Sequence, residues 1–469
     1  MENSWEFSDL GVWSYILLFA VLLGSLLLGN LLKKKIPLLQ QSLIPTSVLG
    51  GAILLLVAAI YKWITGNVMF DAPIFGSNGT ATLEIITYHS LALGFIASAF
   101  TTNDGKLSKK RSAEVFNTGV TTVSTYLLQG IFGLGITLIA TFFLKDLLAA
   151  AGVLLPFGYG QGSGQALNYG KQYAEAAKEM GLSFDGASFG LTIAALGFLS
   201  AAFGGVVHLQ IMKRRGKLKL SERRDGSLHT DKVDSMTEVP MQESIDKMTI
   251  QIALILVAYA IAFGLMYLLS HFLPGMSSLI FGFNFLLGVL VATVIKITMN
   301  WLRKKRIMRK KYTNNFLMTR AGNFFFDLMI VAGVAAIRLD ILDSYWGVIA
   351  ILAVTGIIIT YVYNRIVAKT LFPDYTEEQF LAMYGMLTGT ASTGIILLRE
   401  VDKEFRTPAS DNLVYQNFPA IVFGFPMMFL AKLAITKPVL TLIIFVVFFV
   451  ILNVILFRSK IFKKKSSND

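Results

Sequence analysis

Two glycine-punctuated stretches hold the residues whose types and spacing suit ligand binding. Residues 151–170 read AGVLLPFGYGQGSGQALNYG, with Gly158, Gly160, Gly162 and Gly164 alternating, and residues 381–398 read LAMYGMLTGTASTGIILL. Their polar side chains are small and neutral: Gln161, Ser163, Gln165 and Asn168 in the first, Thr388, Thr390, Ser392 and Thr393 in the second. Such groups give directional hydrogen bonds without a fixed charge. Each glycine costs about 1 kcal/mol relative to alanine in a helix interior, and Pro156 removes a backbone donor just ahead of them. The first stretch therefore predicts a broken hairpin, although Gly158/Gly162 and Gly160/Gly164 also fit a small-xxx-small packing pattern. A broken hairpin supplies free N–H groups and positive half-helix ends for an anion, and unwound carbonyls for a desolvated cation. The expected substrate contacts are Gly160, Gln161, Gly162, Ser163, Gly164 and Gln165, with Gly389, Thr390, Ser392 and Thr393.

Asp327 is the most informative single residue, standing seven positions past Arg320 in AGNFFFDLMIVAGVAAI. If the apolar span begins near residue 321, the carboxyl lies about 10 Å beyond the cytoplasmic start. An intramembrane carboxylate suits a coupling cation or a proton; a pair with a basic neighbour, or a reach to the headgroups, is the structural alternative. Asn323, Ser98 and Thr388 join Asp327 as candidate cation-binding residues. Lys296 and Arg338 sit near span ends, where long stems snorkel, as Lys432 does outward. Arg399 reads as a solvated charge. His208 and His89 read as packed or interfacial, and Asn78-Gly79-Thr80 matches a glycosylation acceptor pattern.

The elements that must position these residues are membrane spans. The chain has 469 residues, 54% of them hydrophobic and only 15% charged, which predicts a polytopic all-α membrane protein. Spans are expected at 11–32, 44–64, 83–102, 114–144 and 186–212, then 247–273, 276–300, 321–342, 345–369 and 411–435, with an eleventh at 438–458. The first broken stretch, 146–171, falls between the fourth and fifth spans; the second, 376–403, precedes the tenth. The first apolar run is a full span followed by Lys33, Lys34 and Lys35, unlike a cleavable signal. No cysteine is present, which excludes disulfides and thiolate metal ligands, and four scattered histidines have no ligand spacing.

The net charge of +13 sets orientation rather than marking a nucleic-acid binder, because the basic residues fall in short loops. With the N-terminus outside, the clusters at 33–35, 106–111, 213–224, 303–311 and 463–465 all face the cytoplasm. All but seven of the 42 Lys and Arg residues then lie on that side. The first five spans start outside and the next five inside, so 1–212 and 247–435 are expected to be inverted repeats, each with a re-entrant hairpin from its own side. Residues 213–246 form a cytoplasmic linker, and 436–469 add a C-terminal span and basic tail.

Several segments together resemble the bacterial glutamate:sodium symporter family. Ile44-Pro45-Thr46-Ser47-Val48-Leu49-Gly50-Gly51 is similar to the IPxxVxGG opening of that family's second span. Ala187-Ser188-Phe189-Gly190-Leu191 with Gly204-Gly205 resembles its fifth, and Gly322-Asn323 with Arg338 its eighth. Gly389-Thr390-Ala391-Ser392-Thr393 resembles its second re-entrant loop. The matches run in order from about residue 11 to 435. The resemblance implies sodium-coupled glutamate uptake by a homodimer whose core slides against a scaffold in a bacterial inner membrane. The chain departs from the family by reading FGYGQGSGQA in place of a GGHGT-type first loop, by carrying Asp327, and by its eleventh span. It resembles a divergent member.

The function expected is therefore cation-coupled secondary transport of glutamate or a related small organic anion, with sodium or a proton as the coupling ion and no further cofactor. A transporter or exporter of another carboxylate uses the same architecture. An ion channel is the reading from another class, and it needs a continuous polar pore. An enzyme is disfavoured because no metal cluster or nucleophile–base pair stands out. No GxxxxGK[ST] motif points to primary pumping.

Overall fold

The computed structural model describes residues 8–41, 43–101, 108–215, 245–274, 277–402 and 406–461. Most of the expected linker and basic tail lies outside these residues. Eleven helices among the described residues are long and apolar enough to cross a membrane. They are α1 (Leu10–Lys35), α2 (Thr46–Thr65), α3 (Gly79–Phe100), α4 (Lys109–Ala140), α7 (Gly186–Arg214), α8 (Lys247–Phe272), α9 (Asn284–Lys304), α10 (Asn315–Ala335), α11 (Trp346–Leu371), α14 (Asn417–Thr436) and α15 (Pro438–Leu456). The shorter α5 (Leu154–Gln161) and α6 (Ser163–Glu179) lie between α4 and α7. Likewise α12 (Thr376–Thr388) and α13 (Ala391–Arg399) lie between α11 and α14. The chain is a multi-pass α-helical membrane protein. Outward-facing apolar rows, such as Val447, Val450, Ile451 and Val454 on α15, are what a lipid-facing helix requires.

The two spans that differ most from the apolar windows are the eighth and the seventh. The eighth was expected at 321–342, but α10 runs from Asn315 to Ala335. Asn314 starts it early, its Oδ1 accepting from the Leu317 N–H at 2.9 Å. Polar residues before Ala321 hide this first turn from a hydropathy window. Asp327 is twelve residues into this 21-residue helix, about 18 Å along its axis from Asn315. The seventh span begins at Asn284 rather than near 276, after a separate short helix at Ser277–Gly282.

The helices divide into two compact units: residues 1–79, 106–219 and 333–469, and residues 80–105 and 220–332. The second unit packs α3, α8, α9 and α10 around Ile96, Ala97, Ile255, Ala258, Ala292 and Met318. Within it Lys296 Nζ donates to the Ala99 carbonyl at 2.9 Å, closing the end of α3. The first unit contains both interrupted helix pairs.

Candidate functional site

The first pair doubles back on itself at one residue. Gly162 has φ +85° and ψ −177°, a backbone open essentially to glycine alone. The turn brings α5 and α6 side by side, and the rings of Phe157 and Tyr169 stack at 3.9 Å with 5° between their planes. The four alternating glycines thus play different parts. Gly158 packs inside α5 against Ile193 and Ala194 of α7, Gly160 lies against the Tyr126 ring, Gly162 makes the break, and Gly164 opens α6. The packing explanation holds for the first two and the broken backbone for the third.

The second pair is also a broken hairpin. Its break spans Gly389 and Thr390, and Thr390 caps α13 through its Oγ1, which accepts from the Thr393 N–H. Gly385 and Gly394 face each other so closely that a Cβ on Gly385 would fall 2.8 Å from Gly394 Cα. No larger pair of residues would let these two half-helices touch.

One helix reads both breaks. On α4, Tyr126 Oη donates to the Gly160 carbonyl at 2.9 Å, at the end of α5. Three residues on, Gln129 Nε2 donates to the Leu387 carbonyl at 3.0 Å, at the end of α12. Residues three apart lie on one helix face, so the two breaks are neighbours along α4. Helix α7 supports the same meeting point: a methyl on Gly197 would lie 2.6 Å from the Thr388 carbonyl oxygen and 3.0 Å from the Tyr159 ring. Tyr159 Oη in turn bonds Ser200 Oγ at 2.9 Å and donates to the Ala353 carbonyl of α11 at 2.8 Å.

Most sequence-identified substrate residues gather at these breaks. Gly162, Ser163, Gly164 and Gln165 are buried in the turn and first residues of α6, and Gln161 is half-buried at the end of α5. Gln165 is 1% exposed; its Oε1 accepts from Asn168 Nδ2 at 3.3 Å, while its Nε2 has no hydrogen-bond partner among the described residues. It is a desolvated donor beside a helix N-terminus. Thr393 is buried, and Thr388 donates its hydroxyl to the Tyr384 carbonyl at 2.6 Å. The Ser392 side chain lies outside the described residues.

The other proposed cation residues belong to the second unit. Ser98 Oγ donates to the Gly94 carbonyl at 2.9 Å on α3. Asn323 and Asp327, four apart on α10, are both exposed on one helix face, away from the side on which Gly322 meets α3. The structure thus places Thr388 in one unit and Asp327, Asn323 and Ser98 in the other.

Two groups of residues were missed from the sequence. Thr118, Thr121, Thr122, Thr125 and Gln129 form a buried polar stripe along α4. Their spacing of three and four residues in an apolar helix was the available signal. The second group is the cluster around His208, which reads as packed from sequence and is packed here, but by charged partners. His208 Nδ1 bonds Tyr361 Oη at 2.7 Å and Nε2 bonds Glu377 Oε2 at 2.9 Å. Arg365 grips the same carboxylate bidentately at 2.6 and 2.7 Å. The cluster fastens the base of α12 to α7 and α11; its members lie 153 and 169 residues from His208, beyond any local pattern. No protein-family profile matches the chain, and no curated protein is significantly similar to it.

Proposed function

We propose that this protein is a cation-coupled secondary transporter for a small organic anion, glutamate first among the candidates, working by alternating access. The observation that carries the reading is the meeting of two broken hairpins at Tyr126, Gln129 and Gly197, with the unpaired Gln165 Nε2 beside the N-terminus of α6. Buried N–H donors at a half-helix N-terminus suit a carboxylate without a fixed positive charge. The ligand set is then Gly160 through Gln165 with Gly389, Thr390, Ser392 and Thr393. The coupling ion, sodium or a proton, is offered the carboxylate of Asp327 on α10, with Asn323 one turn before it on the same face. Element order supports two inverted five-span repeats. Three spans, a fourth, a broken hairpin and a fifth occur in α1–α7 and recur in α8–α14, and an odd span number inverts the second copy.

On this reading the hairpins re-enter from opposite sides, the N-terminus is outside and the C-terminus cytoplasmic. The protein is a homodimeric, elevator-type relative of the bacterial glutamate:sodium symporters in an inner membrane. Reconstituted protein should accumulate labelled glutamate when a sodium gradient is imposed and lose accumulation when the gradient is collapsed. Uptake that equilibrates without accumulating under either a sodium or a proton gradient would sink coupled transport.

A further inference from the structure

The same polar stripe on α4 holds acceptors that the anion reading leaves unused. Gln129 is completely buried and Asn364 is 2% exposed. Gln129 Nε2 donates to the Leu387 carbonyl at 3.0 Å and to Thr360 Oγ1 at 2.8 Å. Asn364 Nδ2 donates to the Thr360 carbonyl at 2.9 Å and to Thr125 Oγ1 at 3.3 Å. A backbone carbonyl can only accept, so each amide is oriented with nitrogen toward it and oxygen away. Gln129 Oε1 and Asn364 Oδ1 then have no hydrogen-bond partner among the described residues. Two buried carbonyl oxygens therefore stand in one seam between α4 and α11, joined through Thr360.

We infer that this seam is a second, uncharged site for a desolvated alkali cation of the sodium class, bound by Gln129 Oε1 and Asn364 Oδ1 with the Thr125 and Thr360 hydroxyls. Hard cations take neutral oxygen ligands, including amide and backbone carbonyls. The charge is met by the C-terminal end of α12, whose Leu387 carbonyl touches Gln129 and which carries the negative pole of that half-helix. This site rests on the transporter reading for its purpose, coupling, but not for its binding, and it is distinct from Asp327.

The test is sodium-dependent thermal stabilisation of the purified full chain, with choline at equal ionic strength as the reference. Wild type is expected to melt higher in sodium. Asn364→Leu, which removes the oxygen, should need about tenfold more sodium or beyond for half the effect, since a contact to a charged group is lost. Asn364→Asp, which keeps an oxygen but loses the donor to the Thr360 carbonyl, should bind sodium as tightly or tighter; a purely structural asparagine would suffer equally from both changes. Asp327→Asn should retain the sodium response. The inference is overturned if Asn364→Leu keeps wild-type half-saturation, or if Asp327→Asn alone abolishes the response. Should the Asn364 variants fail to fold, radioactive sodium binding to Asp327→Asn decides: saturable binding that survives loss of that carboxylate supports the site, and its absence removes it. Glutamate protection without any sodium response would reject this site while leaving the anion carrier standing, whereas loss of both would reject the carrier as well.

Discussion

Replacing Gly162 by alanine probes the break on which the first hairpin depends. At φ +85° and ψ −177° an alanine is strained by about 1–3 kcal/mol, offset by roughly 0.4–1 kcal/mol from a stiffer unfolded chain. The free protein can relax the break by rotating residue 162, but a turn holding a ligand cannot. The strain of about 1–3 kcal/mol should therefore fall mainly on binding, as a roughly 5–150-fold weaker affinity, while the offset bears only on folding stability. Gly264 supplies the control: it lies inside α8 with nothing within 4 Å of an added Cβ. Gly264→Ala should be neutral or stabilising by up to about 1 kcal/mol. Gly389→Ala tests the second break by crowding instead, because its φ of −143° is ordinary while Thr393 Oγ1 and the Gly385 carbonyl lie 3.0 and 3.1 Å from the new methyl. The assay is glutamate-dependent thermal stabilisation of each purified variant, paired with proteoliposome uptake at matched yield. If Gly162→Ala melts slightly higher and transports as Gly264→Ala does, the break does not hold the ligand.

Two further outcomes are expected. Asp327→Asn should leave folding intact, as befits an exposed residue, and should raise the cation concentration for half-maximal transport about tenfold by removing the charge that offsets ion dehydration; unchanged cation dependence at several pH values would make Asp327 structural. Asp340, in the loop after α10, accepts from Arg338 at 2.9 Å and pairs with Lys62 at 2.5 Å. The Arg338 hydrogen bond, opposed by partial burial and reinforced by Lys62, holds its carboxyl well below the usual carboxylate range. A depressed native pKa gives stability that is present above about pH 4 and is lost as pH falls toward the native value. Asp340→Asn should therefore lower Tm at neutral pH by the equivalent of about 1 kcal/mol or less, given partial exposure. The gap between variant and wild type should close in acid, and a gap that is constant with pH would contradict the pairing.

The apolar content determined the class of this protein, because a bilayer demands about 20 apolar residues per spanning helix. The two interruptions were legible for the same reason: glycine and proline weaken helices whatever their surroundings. Local chemistry could not say which of four alternating glycines breaks the helix, since all four share a composition and only Gly162 has the positive φ. Nor could it place the start of α10, because an asparagine cap at residue 314 begins that helix inside a polar run that a hydropathy window discards. Tertiary structure alone decided that Tyr126 and Gln129 of α4 address both breaks, partners 34 and 258 residues away. It likewise decided that His208, Arg365 and Glu377 converge at the base of α12. Periodicity reports which face of a helix is buried; which distant backbone carbonyl meets that face depends on the packing of whole helices.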